Sequence, residues 1–381
     1  RTAILRQTDL LRVAVLLLTL PLAVVLGMSL VSLHVTVRRE TRPHRVHAGD
    51  PVTVTVSLTN RGQRRTPTLL VEDSMPDGLE VTTRVVAPPL PSRATARLSY
   101  TAVPRRRGRY VLGPARVHAV EPFGMLERTW RASGTDQLLV RPRPVPLTDP
   151  LRPARRGGDS ETSRGGVAAA GAMDLTVREY RHGDDLRRVH WPTTARRGEF
   201  MVRRDERPED LRLGLLVDAR RRGHAGRGGA SLEWMVVAAA SVVVRAVLDD
   251  QAVVLTGDGG GGDDDAEGVL DRLAVLEPGD GDLLREGAER LDAAGPTAVV
   301  GVLGDLGPDD AVAVADAVPR ARRVALLLHV PDFAGVDDPA WPARHEDARS
   351  ALAAEGWRTV CVRPGDDVAA AWAAAVGGHV R

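Results

Sequence analysis

The chain has 381 residues, enough for two domains with a buried core each, and a nearly balanced net charge of +2 in which arginine stands in for every lysine. Aromatic residues make up only 3%, too few for the stacking platforms on which single-stranded nucleic acids are held. The lone cysteine, Cys361, excludes an internal disulfide; within Thr359-Val360-Cys361-Val362 it is expected to behave as a small buried hydrophobe. Charge is unevenly placed, with arginines clustered between Arg93 and Arg222 and acids dominating Asp249 to Asp310, a pattern read as two solvated faces rather than a nucleic-acid surface. The sequence begins at Arg1 without an initiator Met, so residues upstream are expected.

Leu10 to Leu33 is almost wholly apolar, interrupted by Arg12, Thr19, Pro21 and serines. As a helix it would span about 36 Å, more than the hydrocarbon core of a bilayer, and Pro21 is tolerated in such a setting. No small-x-small cleavage site follows before His34-Val35-Thr36, so the run is expected to be an anchor rather than a cleaved signal. Arg1, Arg6 and Arg12 flank one end and Arg38, Arg39, Arg42 and Arg45 the other, a comparison that favours a cytoplasmic C-terminal side.

Beyond the anchor the period becomes two. Val52-Thr53-Val54-Thr55-Val56-Ser57-Leu58 alternates, and Asn60-Arg61-Gly62 supplies a turn. Further β-rich runs at 68–72, 94–103, 110–120 and 137–140 predict a small antiparallel sandwich over residues 35–142. Residues 143–172 lose periodicity and read as a linker, stiffened by proline at its start and glycine-rich later.

From Leu211 strands alternate with helices. Apolar strands are expected at 211–217, 252–255, 297–303, 324–330 and 358–362, and helices at 231–248 (N-capped by Ser231), 266–276, 283–291, 309–318, 345–355 and 367–376. Short continuous apolar strands between helices imply a parallel sheet covered on both faces. Ligands of such sheets lie at the carboxyl ends of strands, where Asp218 and Asp305 fall.

The stretch from Leu175 to Glu199 is the most distinctive. It reads as a strand through Tyr180, a turn at Gly183, and a short helix capped by Asp184 and stopped at Pro192. Glu199 to Arg204 alternates as a further strand. The segment resembles the signature of the DUF58 family, approximately R-E-Y-x-x-G-D-x-x-R-x-I-D-W-x-x-x-A-R, through Arg178, Glu179, Tyr180, Gly183, Asp184, Arg187, Trp191, Ala195 and Arg196. Val189 stands where the family has Ile, and His190 where it has Asp. Arg107-Gly108-Arg109-Tyr110-Val111-Leu112-Gly113-Pro114 and Glu121-Pro122-Phe123-Gly124 resemble recurrent features of the family's β region.

The resemblance, of an actinobacterial type, implies membrane helices, a β-rich region, the signature and a von Willebrand A-like domain. It also implies association with a MoxR-type AAA+ ATPase and a transglutaminase-like membrane protein. The matched residues are expected to form a partner-binding surface, a buried ion-pair network that ties the segment down, or both. A von Willebrand A fold carries a metal site built from D-x-S-x-S, a Thr and a distant Asp, which suits Mg²⁺. Here Asp218 and Asp305 take the first and last places, while Arg220 and Arg222 replace the serines, and 259–265 is Gly- and Asp-rich with no Thr. Two arginines there would repel a dication and are placed to pair with Asp218 directly.

No catalytic residue is assigned. Glu179, His190, Asp218 and Asp305 are scattered, and Gly257-Asp258-Gly259-Gly260 lacks the Gly-Lys-Ser/Thr of a phosphate loop. The expected molecule is therefore an α+β multidomain protein in the cell membrane. It comprises an anchor (1–34), a β-sandwich (35–142), a linker (143–172), and the signature with a von Willebrand A-like, Rossmann-type α/β domain (173–381), held in the cytoplasm. Its expected role is that of a protein-interaction scaffold without catalysis, cofactor, nucleic-acid partner or identified small-molecule substrate. The alternative is a metal-dependent adhesion-like binder of the cell envelope.

Overall fold

The computed structural model describes residues 2–29, 34–73, 76, 78–79, 84–120, 127–151, 176–179, 201–204, 211–226, 229–261, 265–316 and 321–377. The chain divides into two compact units, Arg1–Arg143 with Leu270–Leu276, and Pro144–Val269 with Glu277–Arg381.

The first unit opens with helix α1 (Thr2–Ser29), which runs through Pro21. Its large side chains point outward all round, from Leu10 and Leu11 through Leu16, Leu17 and Leu18 to Leu22 and Leu26. Thr19 hides its hydroxyl by donating to the Val15 carbonyl at 2.8 Å, one turn back. Ten strands follow: β1 (Val35–Arg42), β2 (Arg45–His47), β3 (Val52–Asn60), β4 (Thr68–Glu72), β5 (Arg84–Ala87), β6 (Thr95–Ala102), β7 (Gly108–Leu112), β8 (Arg116–Val120), β9 (Glu127–Arg131) and β10 (Asp136–Arg141). They form the sheets β1-β3-β6, β5-β4-β8-β9 and β2-β10-β7. All neighbours are antiparallel except β10 and β2, which run parallel.

Alternation explains β3. Val52, Val54, Val56 and Leu58 are buried in a core shared with Leu69, Val71, Leu112, Val117, Leu138 and Val140, while the intervening residues face outward. The apolar run 110–120 does not make one strand. It breaks at Gly113, whose φ is +90°, and its halves β7 and β8 join different sheets. The core also holds a charge: Arg39 on β1 and Asp73 are each 1% exposed and pair with one another. The guanidinium is completed by the carbonyls of Leu112 and Gly134, both at 2.9 Å, and Asp73 also accepts the Tyr100 hydroxyl at 2.5 Å.

In the second unit β11 (Thr176–Glu179) and β12 (Met201–Arg204) form an antiparallel pair, with Glu179 opposite Met201. Then come β13 (Arg212–Val217), α2 (Ala230–Leu248), β14 (Ala252–Thr256), α3 (Ala266–Ala274, whose residues from Leu270 on belong to the first unit), α4 (Leu283–Ala294), β15 (Ala298–Leu303), α5 (Pro308–Ala315), β16 (Arg322–Leu328), α6 (Val330–Ala334), α7 (Trp341–Ala354), β17 (Arg358–Val362) and α8 (Val368–Val376). The five-stranded sheet has the order β14-β13-β15-β16-β17 and every pair is parallel. Helices α4, α5 and α7 share one core with Leu216, Val299, Leu303, Ala325 and Leu327. Helices α2 and α8 also pack against the strands.

Helix α2 is, by length and composition, able to cross a membrane, yet 61% of its most apolar stretch is buried in this unit. It is the core helix of the sheet. Three local expectations change. Ser231 is not the N-cap, which is Gly229 in a left-handed conformation. Cys361 is exposed, because β17 is the edge strand and one of its faces is incompletely covered. The start of the expected linker is packed: Leu147 and Leu151 are buried, Val145 N–H donates to Ser241 Oγ at 2.8 Å, and the Asp149 carbonyl accepts from Trp372 Nε1 at 2.7 Å.

Candidate functional site

Strands β13 and β15 end side by side, and the residues that follow them converge. The Asp218 N–H donates to the Val302 carbonyl at 3.1 Å, which carries the strand pairing one step further and fixes the carboxylate at the sheet edge. That carboxylate is fully buried. Its Oδ1 accepts from Arg220 Nε at 2.7 Å and from the Arg220 backbone N–H at 3.2 Å; its Oδ2 accepts from Arg220 Nη2 at 2.8 Å and from Gly304 N–H at 3.1 Å. Every lone-pair direction of Asp218 is taken, as a buried carboxylate requires.

Arg220 is itself 1% exposed. Its Nη2 also reaches the Asp305 carbonyl at 3.3 Å, and its Nη1 pairs with Asp310 in the first turn of α5. Burial favours the neutral guanidine, but the bonds to Asp218 and Asp310 outweigh it and hold Arg220 above its ordinary value. Arg222 stands outside, 62% exposed, with Asp310 Oδ1 at 3.2 Å and Asp282 at 3.6 Å. Asp305 turns its carboxylate the other way, to Arg344 at 3.2 Å, which also holds Asp338 at 2.8 Å.

A short turn of 3-10 helix, Arg221–Gly223, closes over the cluster. His224 behind it bridges two elements: its Nε2 meets the Asp218 carbonyl, and its Nδ1 lies 3.1 Å from Ser231 Oγ in the first turn of α2. Ser231 Oγ accepts the Ala225 N–H at 2.9 Å and lies 2.8 Å from the Ala225 carbonyl. Burial, aided by the charge of Arg220 and opposed by Asp218, pushes His224 below the usual imidazole value. A serine beside a histidine suggests a nucleophile, but Ser231 is fully buried and its histidine faces a backbone carbonyl rather than a carboxylate. The pair pins the turn to α2.

On the β16 side, the Trp341 ring meets His329 at a tilt of 40°, centroids 3.8 Å apart, and stacks on His345, centroids 4.3 Å apart. Trp341 and His345 line a small cleft with Gly304, Asp305, Leu306, Leu327 and Ala348. The Trp341 indole N–H is buried and has no hydrogen-bond partner among the described residues.

Residues 176–328 match the model of DUF58, described as a protein of unknown function. That stretch, less than half of the chain, is a DUF58 region. It is also similar to the uncharacterized protein YeaD of Bacillus subtilis strain 168, at 26% identity over 181 residues, or 46% of this chain and 45% of that protein. The chain thus spans less than half the length of this curated relative. Among solved structures, the CARDB domain of the PF1109 protein of Pyrococcus furiosus covers 28% of this chain at 17% identity, with 93% of its own chain aligned and a TM-score of 0.23. The ApaA protein of Bordetella pertussis covers 29% at 18% identity, with 94% of its own chain aligned and a TM-score of 0.22. Both scores fall below what a shared overall fold requires.

The DUF58 match contains Asp218, Arg220, His224, Asp305 and Asp310, whereas Trp341, Arg344 and His345 lie beyond it. Of the signature residues, Arg178 and Glu179 fall on β11. Tyr180, Gly183, Asp184, Arg187, Trp191, Ala195 and Arg196 lie outside the described residues. Asp218 and Asp305 do meet at one sheet edge, and Arg220 pairs with Asp218 directly, as the replacement of serine by arginine led one to expect. Mg²⁺ does not fit between them, because the guanidinium fills the space among their oxygens. Among the described residues no group of three or more His, Cys, Asp or Glu is arranged to hold a metal. Asp310, Arg344 and the His-Trp-His ring group were not anticipated. Asp310 alone left a trace, in the Pro308-Asp309-Asp310 start of a helix shortly after Asp305.

Proposed function

We propose that this DUF58 protein is a membrane-tethered scaffold whose parallel α/β unit, a von Willebrand A-like domain by our reading, docks other proteins and performs no catalysis. The observation that carries this reading is the saturation of the strand-end site. Asp218, Arg220, Asp305 and Asp310 are all engaged with one another or with Arg344, so none of them is a free base or nucleophile. What the edge offers instead is a mixed-charge rim, with Arg221 64%, Arg222 62% and Asp280 84% exposed. Charged rims of this kind steer and orient protein partners. The apolar side chains that α1 exposes all round support the membrane tether, since water is a poor environment for so many leucines.

The partner proposed is an AAA+ ATPase of the MoxR class, with a transglutaminase-like membrane protein as a further member of the assembly and the α/β unit on the cytoplasmic side. Arg220, seated among the carboxylates, weighs against the metal-dependent adhesion reading. The test is affinity purification of the tagged full-length protein from native membranes, followed by mass spectrometry and an ATPase assay. An AAA+ ATPase should be recovered, its ATP hydrolysis should change on addition of the scaffold, and Arg222→Ala, Arg187→Ala or Trp191→Ala should lower the yield. Recovery without any such ATPase, or with no effect on its turnover, would overturn the proposal.

A further inference from the structure

At the carboxyl ends of β13 and β15 a positive group occupies the centre of an oxygen cage. Both oxygens of Asp218, the carbonyl of Asp305 and a carboxylate oxygen of Asp310 surround the Arg220 guanidinium. These are hard donors of the carboxylate and carbonyl type that Mg²⁺ or Mn²⁺ takes. The centre already has a cation, and it is covalently attached. We propose that Arg220 is the resident cation of this cluster: it keeps divalent metals off the strand-end face of the native protein, and its removal converts Asp218, Asp310 and the Asp305 carbonyl into a divalent-cation site.

Charge placement supports this. The cluster sets a fully buried carboxylate, Asp218, close to a second one, Asp310, whose side chain is 14% exposed. Two such groups stay ionised side by side when a cation lies between them; without one, one of them is driven to take a proton. Arg222 touches the outer side of Asp310 and Arg344 is engaged with Asp305 and Asp338, so among the described ion pairs Arg220 alone serves Asp218. A dication entering the native site would have to displace a group tethered two residues away and then sit beside its charge. Once Arg220 is gone, Asp218 keeps the N–H of Gly304 but has no charge partner, and a hard dication restores one. This goes beyond the scaffold reading and holds whichever protein docks.

The experiment is a Mn²⁺ titration of the full-length detergent-solubilised protein, read by the paramagnetic signal of free Mn²⁺ and by thermal melting against an EDTA background. The native protein should leave Mn²⁺ free and melt unchanged. Arg220→Ala should melt lower in EDTA, bind Mn²⁺ saturably, and regain roughly 5–10 °C at a hundredfold excess over Kd. The double variant Asp218→Ala/Arg220→Ala should do neither. Should Arg220→Ala be unfolded in EDTA, Arg220→Gln, which keeps side-chain bulk without charge, takes its place in the same comparison. Saturable Mn²⁺ binding by the native protein that Asp218→Ala abolishes overturns the proposal. So does a folded Arg220 variant that leaves all Mn²⁺ free.

Discussion

Gly304 and Gly223 meet backbone to backbone: a Cβ on Gly304 would stand 1.9 Å from the Gly223 carbonyl oxygen, and that same oxygen accepts the Asp305 N–H at 3.2 Å. Neither side of the contact is a flexible side-chain tip, so nothing can yield cheaply. Gly304→Ala should therefore cost about 1–3 kcal/mol or more by forcing the turn away from β15. Gly335→Ala is the control. Its φ of +67° disfavours a side chain, but none of the described residues lies within 4 Å, and the cost should stay at about 1–2 kcal/mol. Denaturant unfolding of the two variants in detergent checks the order.

Asp218→Asn should be among the most damaging single substitutions in the α/β unit. It leaves the Arg220 guanidinium buried with only Asp310 to balance it, and breaking a buried pair in this way costs about 3–5 kcal/mol. On the surface, Glu346→Gln removes a partner of Arg349 whose side chain is 57% exposed, and the melting temperature should not move. Equal effects in the two variants would mean that the strand-end pair is solvated.

His224 gives the α/β unit a defined response to acid. As neutral imidazole it donates from Nε2 to the Asp218 carbonyl, with Nδ1 3.1 Å from Ser231 Oγ. Its value in the folded chain is depressed, chiefly by burial. The unfolded chain therefore takes up the proton first as pH falls below about 6.5, and stability is lost progressively from there down to the folded value, with none lost at higher pH than the unfolded value. Melting temperatures from about pH 7.5 to 5.5 should fall on this schedule. Gln in place of His224 should reduce the slope without abolishing it, because burial depresses His345 in the same direction. An unchanged slope in His224→Gln would assign the acid response elsewhere.

What the sequence makes legible follows the physics of burial. The parallel strands could be read because both faces are covered and Leu213 to Val217 or Ala298 to Leu303 are apolar without interruption. Strand β3 could be read because one face is covered and its residues alternate. Strand β1 could not, since two of its buried residues are Arg39 and Thr41, and a buried arginine looks like a surface residue until its partner, 34 positions away, is known. The same limit governs the site. Strand ends drew attention to Asp218 and Asp305, whereas Arg344 and Asp310 join them only through tertiary placement. Ser231, before an apolar helix, has the position of a cap, but its hydroxyl serves His224 and Ala225 instead.

Trp341 and Trp372 offer a matched comparison of a bare and a bonded indole. Both are nearly fully buried, at 5% and 1% exposure. Trp372 Nε1 donates to the Asp149 carbonyl at 2.7 Å and so holds the segment before residue 152 against α8. Trp341 Nε1 donates to none of the described residues, although its ring lies between a tilted His329 and a stacked His345. Replacing either by Phe removes the same volume, so the cavity cost is similar, and the difference between the variants isolates the N–H. Trp372→Phe leaves the Asp149 carbonyl without its donor, while Trp341→Phe also discards a donor that was desolvated for no return. Trp372→Phe should thus be the more destabilising by about 1–2 kcal/mol in denaturant unfolding. If Trp341→Phe cost as much, its N–H must have a partner in solution.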